Sequence, residues 1–142
     1  MKLVISTLFA GFALAAAIPA QAQFAKPEDA IRYRQSAFVL MGNHMGRING
    51  QLKADKPDVA AIQRSAAIVE FASKLPYEAF VANTESGGTP PTRAKPEVFK
   101  DSAKVADLRD KMQAEVAKLA TVAKSGDVAA IRAQFGETGK SC

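Results

Sequence analysis

The chain has 142 residues, of which 48% are hydrophobic and 23% are charged, and its net charge is +5 at pH 7. This length and balance are typical of one folded domain and exclude a wholly disordered chain. A single cysteine and a single histidine exclude an internal disulfide and a zinc site built from Cys and His alone. The basic residues form no obvious cluster, so nucleic-acid binding is not expected.

Residues 1–22 have the pattern of a secretory signal peptide. Lys2 supplies the positive start, an almost uninterrupted apolar run follows, and the small residues at the end of the segment fit the cleavage rule. A transmembrane anchor is the alternative, but the run is shorter than the roughly 20 residues that span a bilayer. We therefore expect a periplasmic protein whose mature chain begins at Gln23 and has no membrane segment after cleavage.

Four later segments repeat apolar residues every three or four positions, which is typical of helices buried on one face. They run from Pro27 to about Asp55, from Val59 to about Pro76, from Pro96 to about Ser125, and from Val128 onward. A long connection between the second and third segments contains paired glycines and paired prolines, and is predicted to be irregular and exposed. The fold class predicted for residues 23–142 is all-α, an antiparallel up-down four-helix bundle.

Two polar residues share the inward face of the first predicted helix. Arg34 and Gln35 precede Phe38 by four and three residues, so all three lie within one helical turn on the same side. Burying these polar groups without hydrogen bonds costs about 2–7 kcal/mol. Two interpretations remain open: both side chains reach solvent at the end of the bundle, or they meet an anionic ligand lodged between the helices.

The last residue, Cys142, follows Phe135 by seven positions and therefore shares its inward face. A small buried thiol is a common use of a free cysteine, but a lone thiol is a liability in an oxidising periplasm. If the helix continued, a second cysteine three residues further on and a histidine directly after it would complete C-x-x-C-H. That motif attaches a c-type haem, and only its first residue is present here.

Several stretches of the chain resemble the bacterial cytochrome c′ family, the class II c-type cytochromes. The stretches are QFAKPEDA at 23–30, YRQS at 33–36, LPYEAF at 75–80, KPEVF at 95–99, FG at 135–136 and GKSC at 139–142. The resemblance implies a covalent haem c inside the bundle, with five-coordinate iron. It also implies a homodimer built mainly from the first two helices, redox protein partners, and the small gases NO and CO as ligands.

The resemblance also implies which residues meet the haem. Phe38 matches the apolar residue that covers the distal face, and Arg34 and Gln35 match a pair near the haem propionates. From the long connection, the candidates for contacts with the haem edge are Thr84, Glu85 and Thr92. The haem slot is expected to be an elongated void bounded by Phe38, Met41, Met112, Phe135 and Cys142. The family's axial histidine lies beyond the last residue, so we expect the chain to be the larger part of a longer protein.

Other iron ligands within the chain are not expected. His44 points away from the direction of Phe38, and Met41 and Met45 at helical spacing are typical core residues. The predicted function is a non-enzymatic haem c protein for electron transfer that binds NO or CO at the distal face. One alternative is a haem-free helical bundle acting as an interaction or metal-handling module, with solvated Arg34 and Gln35. A peroxidase-like haem enzyme is the other alternative, and Phe38 stands where it would need a distal His or Arg.

Overall fold

The structure is a computed structural model that describes residues 23–142. The predicted signal peptide, residues 1–22, lies outside the described residues. Four long helices and two short ones follow in chain order: α1 (Pro27–Lys53), α2 (Val59–Ala72), a 3₁₀ helix (Pro76–Ala79), α3 (Glu97–Lys100), α4 (Ser102–Lys124) and α5 (Val128–Ser141). Helix α1 packs on α2, α2 on α4, and α4 on α5. The predicted all-α four-helix bundle is confirmed.

Aspartates at three helix starts explain where the chain enters three of the four long helices, α2, α4 and α5. The carboxylate of Asp58 accepts a hydrogen bond from the Ala61 amide at the start of α2, and Asp127 caps α5 in the same way. Asp101 caps α4 by accepting from the Lys104 amide at 3.0 Å. Such caps satisfy amide groups that have no partner within the helix.

The cap at Asp101 also corrects the prediction of one continuous third helix. Asp101 has φ −116° and ψ 73°, so the chain leaves the helical conformation there and forms α3 before it and α4 after it. The physical reason is that an aspartate side chain competes for nearby amides and favours a helix start over a helix interior. The second helix is also shorter than predicted, because it ends at Ala72 and Pro76 opens a separate 3₁₀ helix.

The core consists of two clusters at different levels of the bundle. The first, which we call the closed-end cluster, lies near the two short turns and contains Ile48, Leu52, Ile62, Ala66, Leu119, Ala120, Ala123 and Ile131. The second, the mid-bundle cluster, contains Met41, Val69, Ala72, Met112 and Val116. The bundle is therefore filled at the closed end, and the mid-bundle cluster forms the floor of the opposite, more open end.

The long connection, residues 80–96, is fixed to α1 at several points, which the prediction of an exposed loop did not anticipate. Thr84 is fully buried. Gly87 and Gly88 both have positive φ, at 88° and 86°, and the amide of Thr92 donates to the carbonyl oxygen of Gly87 at 2.8 Å. The backbone turns back on itself here, and Gly88 lies directly against Ile31 of α1.

Replacing Gly88 with alanine is expected to destabilise the fold by about 2–4 kcal/mol, from strained backbone and steric overlap together. A Cβ at this position would lie 2.6 Å from Cγ2 of Ile31 and 3.2 Å from the carbonyl oxygen of Pro90. Gly87→Ala is the matched control, because that position has the same positive φ and open space around it. Urea unfolding of both variants measures the difference, and equal losses would contradict the close packing of Gly88 on Ile31.

Candidate functional site

A cavity of about 470 Å³, which we call the main cavity, opens between α1, the 3₁₀ helix, α4 and the end of α5. Its lining residues are Phe38, Met41, Tyr77, Phe80, Val98, Val105, Leu108, Arg109, Met112, Ser141 and Cys142. Four of the five residues predicted to bound a void are therefore brought together. Its volume lies within the roughly 300–1,000 Å³ that small-molecule and cofactor sites occupy. A plain bundle with no cavity beside Cys142 does not match this structure.

A second cavity of about 630 Å³, the side cavity, lies between α1 and residues 90–94 of the long connection. Phe38 and Phe80 line both cavities. Phe38 is 42% exposed, although its side chain is large and apolar. This exposure arises because Phe38 lies between two spaces and is not packed into the core.

Phe135 does not line the main cavity, which corrects the prediction that it bounds the void. Its side chain packs against the closed-end cluster. The seven residues between Phe135 and Cys142 correspond to about 10.5 Å along a helix axis. The two residues therefore share a helix face but lie at different depths, and only Cys142 reaches the main cavity.

Arg34 is 2% exposed, and protein oxygens surround its guanidinium group. Nη1 donates to the Ala79 carbonyl oxygen at 3.0 Å and to Oγ1 of Thr84 at 2.7 Å. Nη2 donates to the Thr84 carbonyl oxygen at 2.5 Å and to Oγ1 of Thr92 at 2.9 Å. A guanidinium group has five N–H donors, and the four at the tip are all used within the chain.

The same guanidinium group lies against two aromatic rings and has no ion-pair partner among the described residues. Its carbon is 4.8 Å from the ring centroid of Phe80 and 5.6 Å from that of Phe99. Burial lowers the pKa of Arg34, and the negative charge of Glu85 raises it in part. Cation–π contacts and neutral oxygens thus stabilise a buried cation.

These contacts correct the interpretation that Arg34 reaches solvent, and they occupy the donors that the other interpretation assigned to an anionic ligand. The side chain does not reach solvent, and its terminal donors are not free to bind an anionic ligand directly. Gln35 is half-buried, and its Nε2 donates to the carbonyl oxygens of Pro90 and Pro91 at 3.0 and 3.3 Å. Both residues hold the long connection against α1, and both line the side cavity.

None of the three candidates from the long connection lines the main cavity. Thr84 and Thr92 accept from Arg34, and neither lines the main cavity. Hydroxyl groups occupy these positions because the buried guanidinium needs acceptors. Glu85 is exposed and lines a neighbouring pocket with Val81 and Ser102. Thr92 contributes to the side cavity.

Tyr77 and Arg109 are two of the seven lining residues that were not predicted. The Tyr77 ring meets Phe38 edge-on, with centroids 6.3 Å apart and an interplanar angle of 81°. The Arg109 guanidinium lies 5.9 Å from the Tyr77 ring centroid. Burial raises the pKa of Tyr77, the charge of Cys142 adds to the rise, and Arg109 opposes it. The sequence held one signal for Arg109. It directly follows Leu108, which lies with Met112 on the apolar stripe of the third predicted helix.

His44 and the methionines lie as predicted. Nδ1 of His44 is 3.3 Å from Oγ of Ser65, and the histidine does not line the main cavity. Met45 packs between the two core clusters.

Between residues 23 and 142, no group of three or more His, Cys, Asp or Glu side chains could hold a metal ion. No helix within the same range is long and apolar enough to cross a membrane.

Comparison with known proteins identifies the family. The family described as cytochrome C′ matches residues 29–142. The chain belongs to the cytochrome c′ family. A cytochrome c′ from Rubrivivax gelatinosus is 45% identical over 121 residues, which cover 84% of this chain and 92% of that protein. A cytochrome c′ from Alcaligenes xylosoxydans xylosoxydans is 40% identical over 121 residues, covering 84% and 91% of the two chains.

Solved cytochrome c′ structures share the fold. The Rubrivivax gelatinosus protein aligns with a TM-score of 0.77 at 45% identity, over 84% of this chain and 93% of that chain. Cytochrome c prime from Shewanella frigidimarina aligns with a TM-score of 0.76 at 38% identity, over 84% and 91%. A nitrosyl complex of a variant from Alcaligenes xylosoxidans aligns with a TM-score of 0.75 at 40% identity, over 84% and 91%. The resemblance in the sequence is therefore confirmed.

Proposed function

We propose that this protein is a periplasmic, non-enzymatic cytochrome c′ that holds haem c in the main cavity, transfers single electrons to redox protein partners and binds NO or CO beside Phe38. The observation that carries the proposal is the position of Cys142 on the wall of a largely apolar cavity. A nitrosyl complex and a nitric oxide complex among the similar solved structures support the choice of NO as a ligand. The secretory pattern of residues 1–22 supports export.

The residues of the main cavity fit haem c. Phe38 and Met41 on one side and Leu108 and Met112 on another offer apolar surface, as a porphyrin requires. The thiol of Cys142 is the group from which a thioether could form at the cavity wall. When bound, haem c supplies a redox-active iron whose potential and ligand affinity depend on the surrounding side chains.

The residues around the cavity suit a site with one open coordination position. Phe38 carries no atom that can bind iron or donate a hydrogen bond, so it disfavours water and O₂ more than it disfavours NO or CO. Met41 and Met112 line the main cavity, but they are 8% and 5% exposed and pack in the mid-bundle cluster, as is typical of methionines that fill a core. These features support five-coordinate iron.

The polar groups of the main cavity support a carrier and not an enzyme. Among its lining residues they are Tyr77, Arg109, Ser141 and Cys142, and no carboxylate or imidazole is present. General acid–base catalysis at neutral pH most often uses His, Asp or Glu within hydrogen-bond reach of the reacting group. The main cavity is therefore suited to electron transfer and ligand binding, because its lining offers no His, Asp or Glu side chain for acid–base catalysis.

A homodimer formed by α1 and α2 is part of the proposal. Val39 is 62% exposed on α1, and Phe71 is 66% exposed on α2. Gly42 and Gly46 have open space where a Cβ would be, so another helix could approach closely. Exposed apolar surface of this kind is typical of protein interfaces. Sedimentation velocity tests the dimer, and a monomer at every concentration would contradict it.

The test of the cofactor uses a chain extended after Cys142 by four residues, two spacer residues followed by a cysteine and a histidine, which completes C-x-x-C-H. We expect this extended protein, exported in a host with haem-attachment machinery, to show a Soret band and to retain haem after denaturation. The sequence ending at Cys142 is the matched control and should show no covalent haem above background. An extended protein that folds into a helical bundle but stays colourless would overturn the proposal and favour the haem-free module.

A further inference from the structure

The Phe38 ring forms a wall between two cavities. The main cavity, with Cys142, lies on one side, and the side cavity, with residues 90–94, lies on the other. Phe80 also lines both, but its neighbours on two sides are the Tyr77 and Phe99 rings, at 6.1 and 5.7 Å between centroids. Phe38 is the lining residue with space to move, since it is 42% exposed and borders 470 and 630 Å³ of open volume.

The aromatic contact that holds Phe38 comes from Tyr77. The two rings meet at 81° with centroids 6.3 Å apart, which is an edge-to-face arrangement. Such pairs are favourable because the positive edge of one ring meets the negative face of the other. If the Phe38 ring swings away from this position, the contact with Tyr77 is lost and the two cavities join.

Tyr77 is itself fixed in place. It lies on the 3₁₀ helix, whose last residue, Ala79, is fully buried and accepts a hydrogen bond from Arg34 at 3.0 Å. The Tyr77 side chain also packs against the mid-bundle cluster. The Arg109 guanidinium, 5.9 Å from the Tyr77 ring centroid, adds a cation–π contact. The pair therefore consists of a fixed ring, Tyr77, and a ring with room to move, Phe38.

We propose that Tyr77 is a positioning residue that holds the Phe38 ring between the two cavities and thereby limits how fast a small gas passes from the side cavity to the haem. This inference rests on the proposed function, because it concerns gas binding beside Phe38. The side cavity is then the entrance, and Phe38 is its movable wall. Tyr77 also lines the main cavity, and its effect on gas entry is exerted through the position of Phe38.

The first test measures CO binding by flash photolysis in the extended, haem-loaded protein. Tyr77→Leu removes the ring, and we expect the CO association rate to rise about two- to tenfold, as the strength of an edge-to-face pair implies. The dissociation rate should not change, since the contact is already broken when the gas is bound. Tyr77→Phe keeps the ring and should behave as wild type. Tyr33→Leu, which removes a ring packed on Phe24 at 5.3 Å, is the matched control.

The second test needs no haem. In the chain with labelled phenylalanine, the Phe38 ring signals are assigned by NMR with a Phe38→Leu variant. Loss of the Tyr77 ring current shifts these signals in any case, so the readout is their number and width: we expect two sets, or broadening by exchange, in Tyr77→Leu and one sharp set in Tyr33→Leu. One sharp set of Phe38 signals in Tyr77→Leu together with an unchanged CO association rate would overturn the inference. If the extended protein binds no haem, the proposed function fails, and the Phe38 signals alone still decide whether Tyr77 positions that ring.

Discussion

Replacing Arg34 with leucine is expected to lower the free energy of unfolding by about 3–5 kcal/mol. The substitution removes four hydrogen bonds at once and leaves acceptors of Ala79, Thr84 and Thr92 without their donor. Each buried group left without a partner costs about 1–3 kcal/mol, reduced where water or a rearranged loop can reach it. Urea unfolding of the variant measures the loss.

Two further substitutions separate the hydrogen bonds from the charge. Arg34→Lys keeps the positive charge, but a single ammonium group cannot replace the planar fork, so most of the loss should remain. Arg32→Leu is the matched control, since Arg32 lies on the same helix with a 72% exposed side chain and forms an exposed ion pair with Asp29. An exposed ion pair contributes about 0–1 kcal/mol. If Arg34→Leu and Arg32→Leu lower the free energy of unfolding by the same amount, the buried contacts of Arg34 are not what fixes the long connection.

The periodic parts of the fold could be predicted from the sequence because each long helix buries one face against the others. Ile48, Leu119 and Ile131 belong to the apolar stripes of three different helices, and all three are fully buried in the closed-end cluster. Periodicity, however, does not show where a helix breaks. Asp101 lies within a helical pattern, but the backbone leaves the helical conformation there, and its carboxylate accepts a hydrogen bond from the Lys104 amide at the start of α4.

The main cavity could be predicted in part. The positions of Phe38 and Cys142 followed from helical spacing and from the family resemblance, and both line the cavity. Phe135 shares a helix face with Cys142 but packs in the closed-end cluster. Helical spacing fixes the face on which a residue lies, whereas its depth along the bundle depends on how the helices are placed against one another.

The partners of Arg34 could not be predicted. The sequence indicated that an inward-facing arginine needs acceptors, and the structure supplies them from residues 45 to 58 positions further along the chain. The long connection shows no periodicity, so nothing in it indicated that Thr84 would be buried. A contact between an irregular segment and a distant helix depends on the complete fold, so it could not be predicted from this one sequence.

Replacing Leu108 with aspartate is expected to weaken the binding of free haem about 100-fold, the largest functional effect that we expect from one substitution in the main cavity. Leu108 lines the main cavity and is 55% exposed, so its replacement does not open the core. A haem that covers this position would remove water from the new carboxylate, and burying an unpaired charge costs several kcal/mol. A tenfold change in affinity corresponds to about 1.4 kcal/mol. Titration of the chain with haem, followed by the Soret band, gives the dissociation constant.

Ala114→Asp is the matched control for this change. Ala114 is also an exposed apolar residue of α4, but it lines neither the main cavity nor the side cavity. Leu108→Ala removes the apolar contact without adding a charge and should weaken binding about tenfold or less. Both aspartate variants should keep the unfolding free energy of the haem-free chain within about 0.5 kcal/mol, as is usual for surface changes. Equal haem affinity in the two aspartate variants would mean that haem does not bind in the main cavity, because only one of the two charges lies on its wall.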